Sequence, residues 1–380
     1  MPPLELDPSD FDQFGPPAGT FCLITSERHG ELISLNSGSR DPGSGNSASQ
    51  NSPDSGDGYS RVLRLTLPPG TRLGELIEHR VPEDAHVLAV CPGQFLDSPT
   101  PRELGARRLA VLPAGSTPLT DEHVRYFLRT AALTDVAGHA RVAEEFFDLV
   151  GDSDRLTIVD DVSGTEAEFD HTAGECVWNM QAGVLEEGDQ QIFPSGKLSV
   201  TAAEITTFAP EARLLGLHGD LTLRGWPIVH RHLDPADGAD QQRLFEALAP
   251  LVSDAVTLHI RAGSIEGLTP QTPGAAPAAV ELEKLLTDDP RYRVIWELGF
   301  GINTSTEIIP ANCGPNEVYG GTAGVVNLGL GITPATRFAL AFLCPRSSLV
   351  TSDGTAVLGA RKAVRRGRMQ RVSSAGCGCH

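Results

Sequence analysis

The segment RLAVLPAGSTPLTDEHVRYFLRTAAL, residues 108–133, decides the reading of the fold. It opens with a short apolar run of the buried-strand kind and turns at Pro and Gly. It then enters a helix capped by Thr120, with Val124, Phe127, Leu128, Ala131 and Ala132 on one face. A buried strand turning directly into an amphipathic helix is the repeating unit of an α/β sheet. Upstream, HVLAV (86–90), RVLRLTL (61–67) and TFCLIT (20–25) read as further strands rich in β-branched and apolar residues. Downstream, VAGHARVAEEFFDLVG (136–151) repeats the helical period and stops at Gly151. Residues 1–135 are therefore expected to form a small α/β domain with a mostly parallel sheet.

From residue 152 the pattern changes. RLTIVDD and TEAEFD flank VSG as a hairpin. KLSVTAAEITTF, LHGDLTLRGWPIVHRHL, AVTLHIRAGSIEGL, TAGVVNLGLG and RFALAFL follow as strands with turn residues between them. Two helical stretches, DQQRLFEALAPLV and AAVELEKLL, interrupt the series. Residues 136–360 are expected to be an α+β domain rich in antiparallel strands. Two segments fall outside this plan. Residues 36–59, nearly all Ser, Gly, Asn, Asp and Pro, cannot bury apolar surface and are expected to be a disordered loop. Residues 361–380, RKAVRRGRMQRVSSAGCGCH, read as a basic flexible tail.

Composition excludes several functions. A net charge of −19 argues against nucleic acid or an anionic membrane as partner. There is no apolar run of about 18 residues, and the N-terminus has neither the basic region nor the apolar core of a secretory signal. The 7 cysteines, an odd and scattered number, do not read as a disulfide framework. The expectation is a cytoplasmic protein.

The order of motifs in residues 85–360 resembles the aminopeptidase T family of metallopeptidases. LGARRLAVLPAGSTPLTDEHVRYFL is similar to that family's strand, Met-Pro-Gly turn and helix. DSDRLTIVDDVSGTEAEFD resembles its strand, Gly-Thr-Asp turn and strand, and IFPSGKLSV its Leu-Pro-Ala-Gly-Glu segment. AVTLHIRAGSIEGL resembles its acidic-glycine hairpin. IWELGFGINTSTEI is similar to Glu-Phe-Gly-Ile-Gly-Thr-Asn, NEVYGGTAGVVNLGLG to Asp-Glu-Lys…Gly-Thr-Val-His-Ile-Ala-Leu-Gly, and SSLVTSDGTAVL to Ile-His-Leu-Asp-Gly. The first 84 residues, the tail and an insertion carrying helix 241–252 stand outside the resemblance.

The resemblance implies a dimeric metallo-aminopeptidase fold whose cleft holds two divalent metals on Glu, Glu, His, His and Asp. Carried over by position, these become Lys197, Glu297, Asn327, Thr351 and Asp353. Only Glu297 and Asp353 keep the ligand type. A tight divalent site needs three or four donors at about 2.0–2.3 Å. An ammonium at Lys197 repels a metal, and Asn327 and Thr351 are weak neutral donors. Lys197 is expected instead to pair with the remaining carboxylates, and Trp296, beside Glu297, to face the cleft. The implied function is non-catalytic peptide binding with no metal or cofactor, in a pathway that modifies a ribosomal precursor peptide. Two alternatives stand beside it. One is an active metallo-hydrolase with relocated ligands such as His230, His232, Glu297 and Asp353. The other is a structural subunit paired with an active homologue.

Three other motifs carry residues with possible chemistry. His230, His232 and Asp234 in WPIVHRHLD share a strand face and read as a polar strand edge. Cys377, Cys379 and His380 suit a soft metal chemically, but close an exposed tail. GGTAGVVNLGLG lacks the Lys-Ser/Thr ending of a P-loop and reads as a buried strand.

Overall fold

The computed structural model describes residues 2–17, 19–35, 58–94, 96–112, 114–172, 176–202, 214–231, 237–333 and 335–359. The expected tail, most of the expected 36–59 loop, and His232, Asp234, Cys377, Cys379 and His380 lie outside them. Tyr59, read as the end of that loop, is a core residue. Its ring packs against Phe21, and its hydroxyl lies 2.7 Å from His86 Nδ1.

The N-terminal half builds a five-stranded sheet in the order Gln190–Ile192, Arg108–Val111, His86–Val90, Thr20–Thr25, Arg61–Thr66. Every pairing in it is parallel. The chain places its second strand on one side of the first and the later ones on the other, which is the 2-1-3-4-5 order of a doubly wound sheet. Parallel strands are covered on both faces, so their sequences read as continuous apolar runs. TFCLIT and HVLAV are buried at every position. Phe21, Leu23, Leu88, Val90 and Ala110 pack under the helix Asp121–Ala132 through Val124, Phe127, Leu128 and Ala131. Cys22, Ile24, Val87, Ala89 and Leu109 pack on the opposite face under the helix Leu73–Arg80 through Leu73 and Ile77. The helix Asp121–Ala132 starts where its cap predicts, with the Thr120 hydroxyl oxygen accepting from His123 N.

The remainder forms two antiparallel sheets. The six-stranded one runs Trp226–Arg231, Phe338–Cys344, Val326–Leu330, Ile295–Gly301, Lys197–Ala202, Cys176–Gln181. The seven-stranded one runs Ser264–Pro270, Val256–Arg261, Gly216–Leu223, Glu166–Asp170, Leu156–Asp160, Ser347–Thr351, Ala356–Gly359. Alternation puts Leu198, Val200, Leu298, Phe300, Leu328 and Phe342 of the first sheet into one core. Ile158, Phe169, Leu217, Leu258 and Leu349 of the second share it, with Phe146 of the helix Val136–Gly151. Among the described residues no helix is long and apolar enough to cross a membrane.

Candidate functional site

In the six-stranded sheet, successive side chains take opposite faces. While Leu198, Val200, Leu298, Phe300 and Leu328 fill the core, Lys197, Ser199, Glu297, Gly299, Gly301, Asn327 and Gly329 share the other face. Lys197 stands opposite Gly301 on one side and Gln181 on the other, and Glu297 lies further along the neighbouring strand. To meet Glu297 the lysine stem must run diagonally across that strand. Glycine makes this passage possible. A Cβ at Gly299 would stand 3.1 Å from both Lys197 Cε and Asn327 Cβ. One at Gly320 would stand 3.2 Å from Lys197 Cε and 2.7 Å from Asn327 Nδ2. The stem therefore lies in a slot between two glycines, and Nζ reaches Glu297 Oε1 at 2.7 Å. The two side chains are 22% and 13% exposed, so water screens the pair only in part.

Lys197 is aimed by the residue before it. Gly196 holds φ +114, a left-handed conformation that an L side chain rarely adopts, and lies against Asn303. Gly196 N donates to Gln181 O at 2.6 Å, and its carbonyl accepts from Ile302 N at 2.8 Å. The fully buried Asn303 ties the same turn down, donating from Nδ2 to Ser195 O and accepting from Ser305 N.

Asn327 completes the cluster. It is 3% exposed, and among the described residues its Oδ1 has no hydrogen-bond partner. Thr351 and Asp353 lie elsewhere, at the end of a strand of the seven-stranded sheet. The Thr351 hydroxyl donates to Asp353 Oδ1 at 2.5 Å, and Thr355 N donates to the same oxygen at 3.0 Å, so this carboxylate closes a turn. Trp296 does not line an open cleft as expected. It is buried, and its indole N–H donates to Arg291 O at 3.2 Å. His230 meets the Ser116 hydroxyl through Nδ1 at 2.7 Å. Five expected positions thus resolve into a partly buried triad of Lys197, Glu297 and Asn327 and a separate turn of Thr351 and Asp353. Among the described residues no group of three or more His, Cys, Asp or Glu is placed to hold a metal ion.

Two further features escaped the sequence. Glu317 accepts from the backbone N–H groups of Gly115, Ser116 and Thr117 at 3.1–3.2 Å and from the Thr117 hydroxyl at 2.7 Å. The signal was the Pro-x-Gly turn itself, whose clustered N–H groups need an acceptor once buried. The second is a cavity of about 480 Å³ beside Val111 and Gln190–Ile192, at the edge of the parallel sheet. Leu96, Asp97, Gln190 and Ile192 line it together with Asn179 and Gln181 from the edge of the six-stranded sheet. Gln181 is also the cross-strand neighbour of Lys197, so cavity and ion pair share one sheet face.

The fold and site define a mixed α/β protein in which a parallel doubly wound sheet abuts two antiparallel ones. The chain is similar in structure to 2,5-dihydroxypyridine dioxygenase from Pseudomonas putida KT2440, with a TM-score of 0.52, 14% identity, and coverage of 91% of this chain and 92% of that one. It also matches wild-type AmpT from Thermus thermophilus, with a TM-score of 0.41, 10% identity, and coverage of 92% and 95%. No family model and no curated protein matches the sequence. The likeness to the dioxygenase is one of fold, and at such identity a shared fold assigns no chemistry.

Proposed function

We propose that this chain is a cytoplasmic, non-catalytic peptide-binding protein that captures an extended segment of a partner, such as the precursor in a ribosomal peptide modification pathway. The observation that carries this reading is the Lys197–Glu297 ion pair. Its ammonium lies 2.7 Å from the carboxylate, at positions where the motif resemblance places two metal-binding glutamates. With the lysine in place, Glu297 is neutralised by a proton donor. A second carboxylate, Asp353, is engaged in its turn, and among the described residues no group of three or more metal-ligating side chains is placed to activate water.

Binding without chemistry needs a surface that accepts a backbone. The strand Cys176–Gln181 lies at the edge of the six-stranded sheet, with Val177 49% and Met180 50% exposed. An extended peptide added to such an edge gains main-chain hydrogen bonds, and alternate side chains give specificity. Here the apolar contacts come from Val177 and Met180, while Asn179 and Gln181 offer amides from the adjoining cavity.

The test is calorimetry with a library of extended peptides, with mass spectrometry of the peptides afterwards and elemental analysis of the protein. The expected result is micromolar binding, about −8 kcal/mol, with every peptide intact and no stoichiometric transition metal. Val177→Lys, a charge of the kind that blunts sheet edges, should weaken binding at least tenfold. Peptide turnover, or about one tightly held metal per chain, would replace this reading with that of a metallo-hydrolase.

A further inference from the structure

Two of the connections that carry the chain between the antiparallel sheets come together at one place. Arg224 and Gly225 link Gly216–Leu223 of the seven-stranded sheet to Trp226–Arg231 of the six-stranded one. Pro345 and Arg346 link Phe338–Cys344 back to Ser347–Thr351. Between them lies a cavity of about 680 Å³, lined by Arg224, Trp226, Arg346, Val162, Val252 and Pro345. Gly225 fits the first crossing tightly, packing against Leu343 O and donating its N–H to Leu251 O at 2.7 Å.

The charges here run against those of the molecule. In a chain of net charge −19, this cavity presents two guanidinium groups. The carboxylate behind Arg224 is already committed. Asp160 is 2% exposed, and its Oδ1 accepts from Val162 N, Ser163 N and the Ser163 hydroxyl. Its Oδ2 lies 3.6 Å from Arg224 Nε, an ion pair longer than a hydrogen bond. Arg346 is exposed and makes no ion pair among the described residues. The Trp226 indole N–H is buried and has no hydrogen-bond partner among the described residues. Gly225, Ser253 and the apolar Val162, Val252 and Pro345 complete the wall, with Val162 and Val252 exposed.

We infer that this seam is a binding site for a small organic anion with an apolar body. The head group, a carboxylate or a phosphate ester, sits between Arg224 and Arg346, which match planar and tetrahedral oxyanions with paired N–H donors. The body lies against Trp226, Val162 and Val252. Such a ligand bridges both crossings, so it stabilises the packing of the two sheets by mass action. The site is independent of the peptide edge.

The test uses phenylacetate and phenyl phosphate as probes, with phenylacetamide as the neutral isostere, read by calorimetry and by thermal denaturation of the full chain. At least one anion should bind and raise the melting temperature, and whichever binds more tightly identifies the head group. Phenylacetamide should bind at least tenfold more weakly than phenylacetate where the carboxylate is preferred. Arg346→Gln, at an exposed turn, should keep the fold and weaken the preferred anion at least tenfold. Trp226→Phe should abolish the change in tryptophan fluorescence on binding, and Val177→Lys should leave anion affinity unchanged. The inference is overturned if neither anion binds at about 10 mM, the weak end of specific affinity. It is also overturned if Arg346→Gln binds the preferred anion like the parent, or if phenylacetamide matches a preferred phenylacetate.

Discussion

Replacing Lys197 with Met tests the site at its centre. The substitution keeps the length of the stem in the slot between Gly299 and Gly320 and removes only the charge. At 2.7 Å and an effective dielectric of about 20, the Coulomb attraction it deletes is about 6 kcal/mol. Desolvation of both groups offsets most of that gain, and the 22% and 13% exposures admit some water. What remains is the cost of leaving Glu297 mostly buried and unpaired, about 3 kcal/mol, at the low end for a broken buried pair. Glu297→Gln leaves a neutral hydrogen-bonding partner for Lys197 and should cost less, about 2 kcal/mol. The double replacement with Met and Leu removes both charges and fills the space with apolar atoms. It should be nearly neutral relative to the parent. The assay is urea unfolding of the parent, Lys197→Met, Glu297→Leu and the double variant, analysed as a cycle. A coupling of about 2 kcal/mol or more is expected. A coupling below about 0.5 kcal/mol would show that the pair is no more than a surface contact, and would remove the main support for the proposed function.

Two other outcomes follow from the same geometry. Glu317→Ala strips the acceptor from three backbone N–H groups and the Thr117 hydroxyl and should cost about 3 kcal/mol of stability, with Glu317→Gln recovering part of it. Equal unfolding midpoints for Ala and parent would refute the anchoring role. Acid sensitivity should come in part from His86, whose pKa is pushed down to about 4 by burial and by the Arg108 guanidinium, against a smaller opposing effect of Asp84. The unfolded imidazole takes up its proton near pH 6.5 and the native one does not, so stability is fully present above that pH. It falls by about 3 kcal/mol as pH drops from 6.5 towards 4. His86→Gln should flatten that part of the urea midpoint profile, and an unchanged slope would assign the sensitivity elsewhere.

How much of the fold could be read depended on whether a segment's burial was written in its own side chains. TFCLIT and HVLAV lie in the middle of a parallel sheet, and their unbroken apolar runs state that position directly. The helix Val136–Gly151 occupies the bounds its period and terminal glycine predict. Two strands were missed for opposite reasons. Gln190–Ile192 is three residues long and two of them are glutamines, so nothing local marks it, and only the open edge beside Arg108–Val111 makes it a strand. Cys176–Gln181 is an edge strand that exposes apolar Val177 on one face and Met180 on the other, so its polarity does not follow the alternation of a half-buried strand. Tyr59 was misjudged because a single aromatic residue ends a polar stretch, and its burial comes from Phe21 and His86, distant in sequence.

At the site, residue types were legible and their assembly was not. A lysine among carboxylates points to an ion pair on chemical grounds alone, because an uncompensated charge in a half-buried place is costly. Which carboxylate it meets is a matter of path. Two carboxylates were available on paper, yet Thr351 and Thr355 draw Asp353 into a turn of the other sheet. Only Glu297 lies along the diagonal that Gly299 and Gly320 leave open. Those glycines carry no charge and no reactive group, but they decide the outcome. An alanine at Gly320 would put its Cβ 2.7 Å from Asn327 Nδ2, forcing Asn327 aside or the lysine stem out of its slot. The charge balance of this face therefore rests on the absence of two β-carbons as much as on the presence of Lys197 and Glu297.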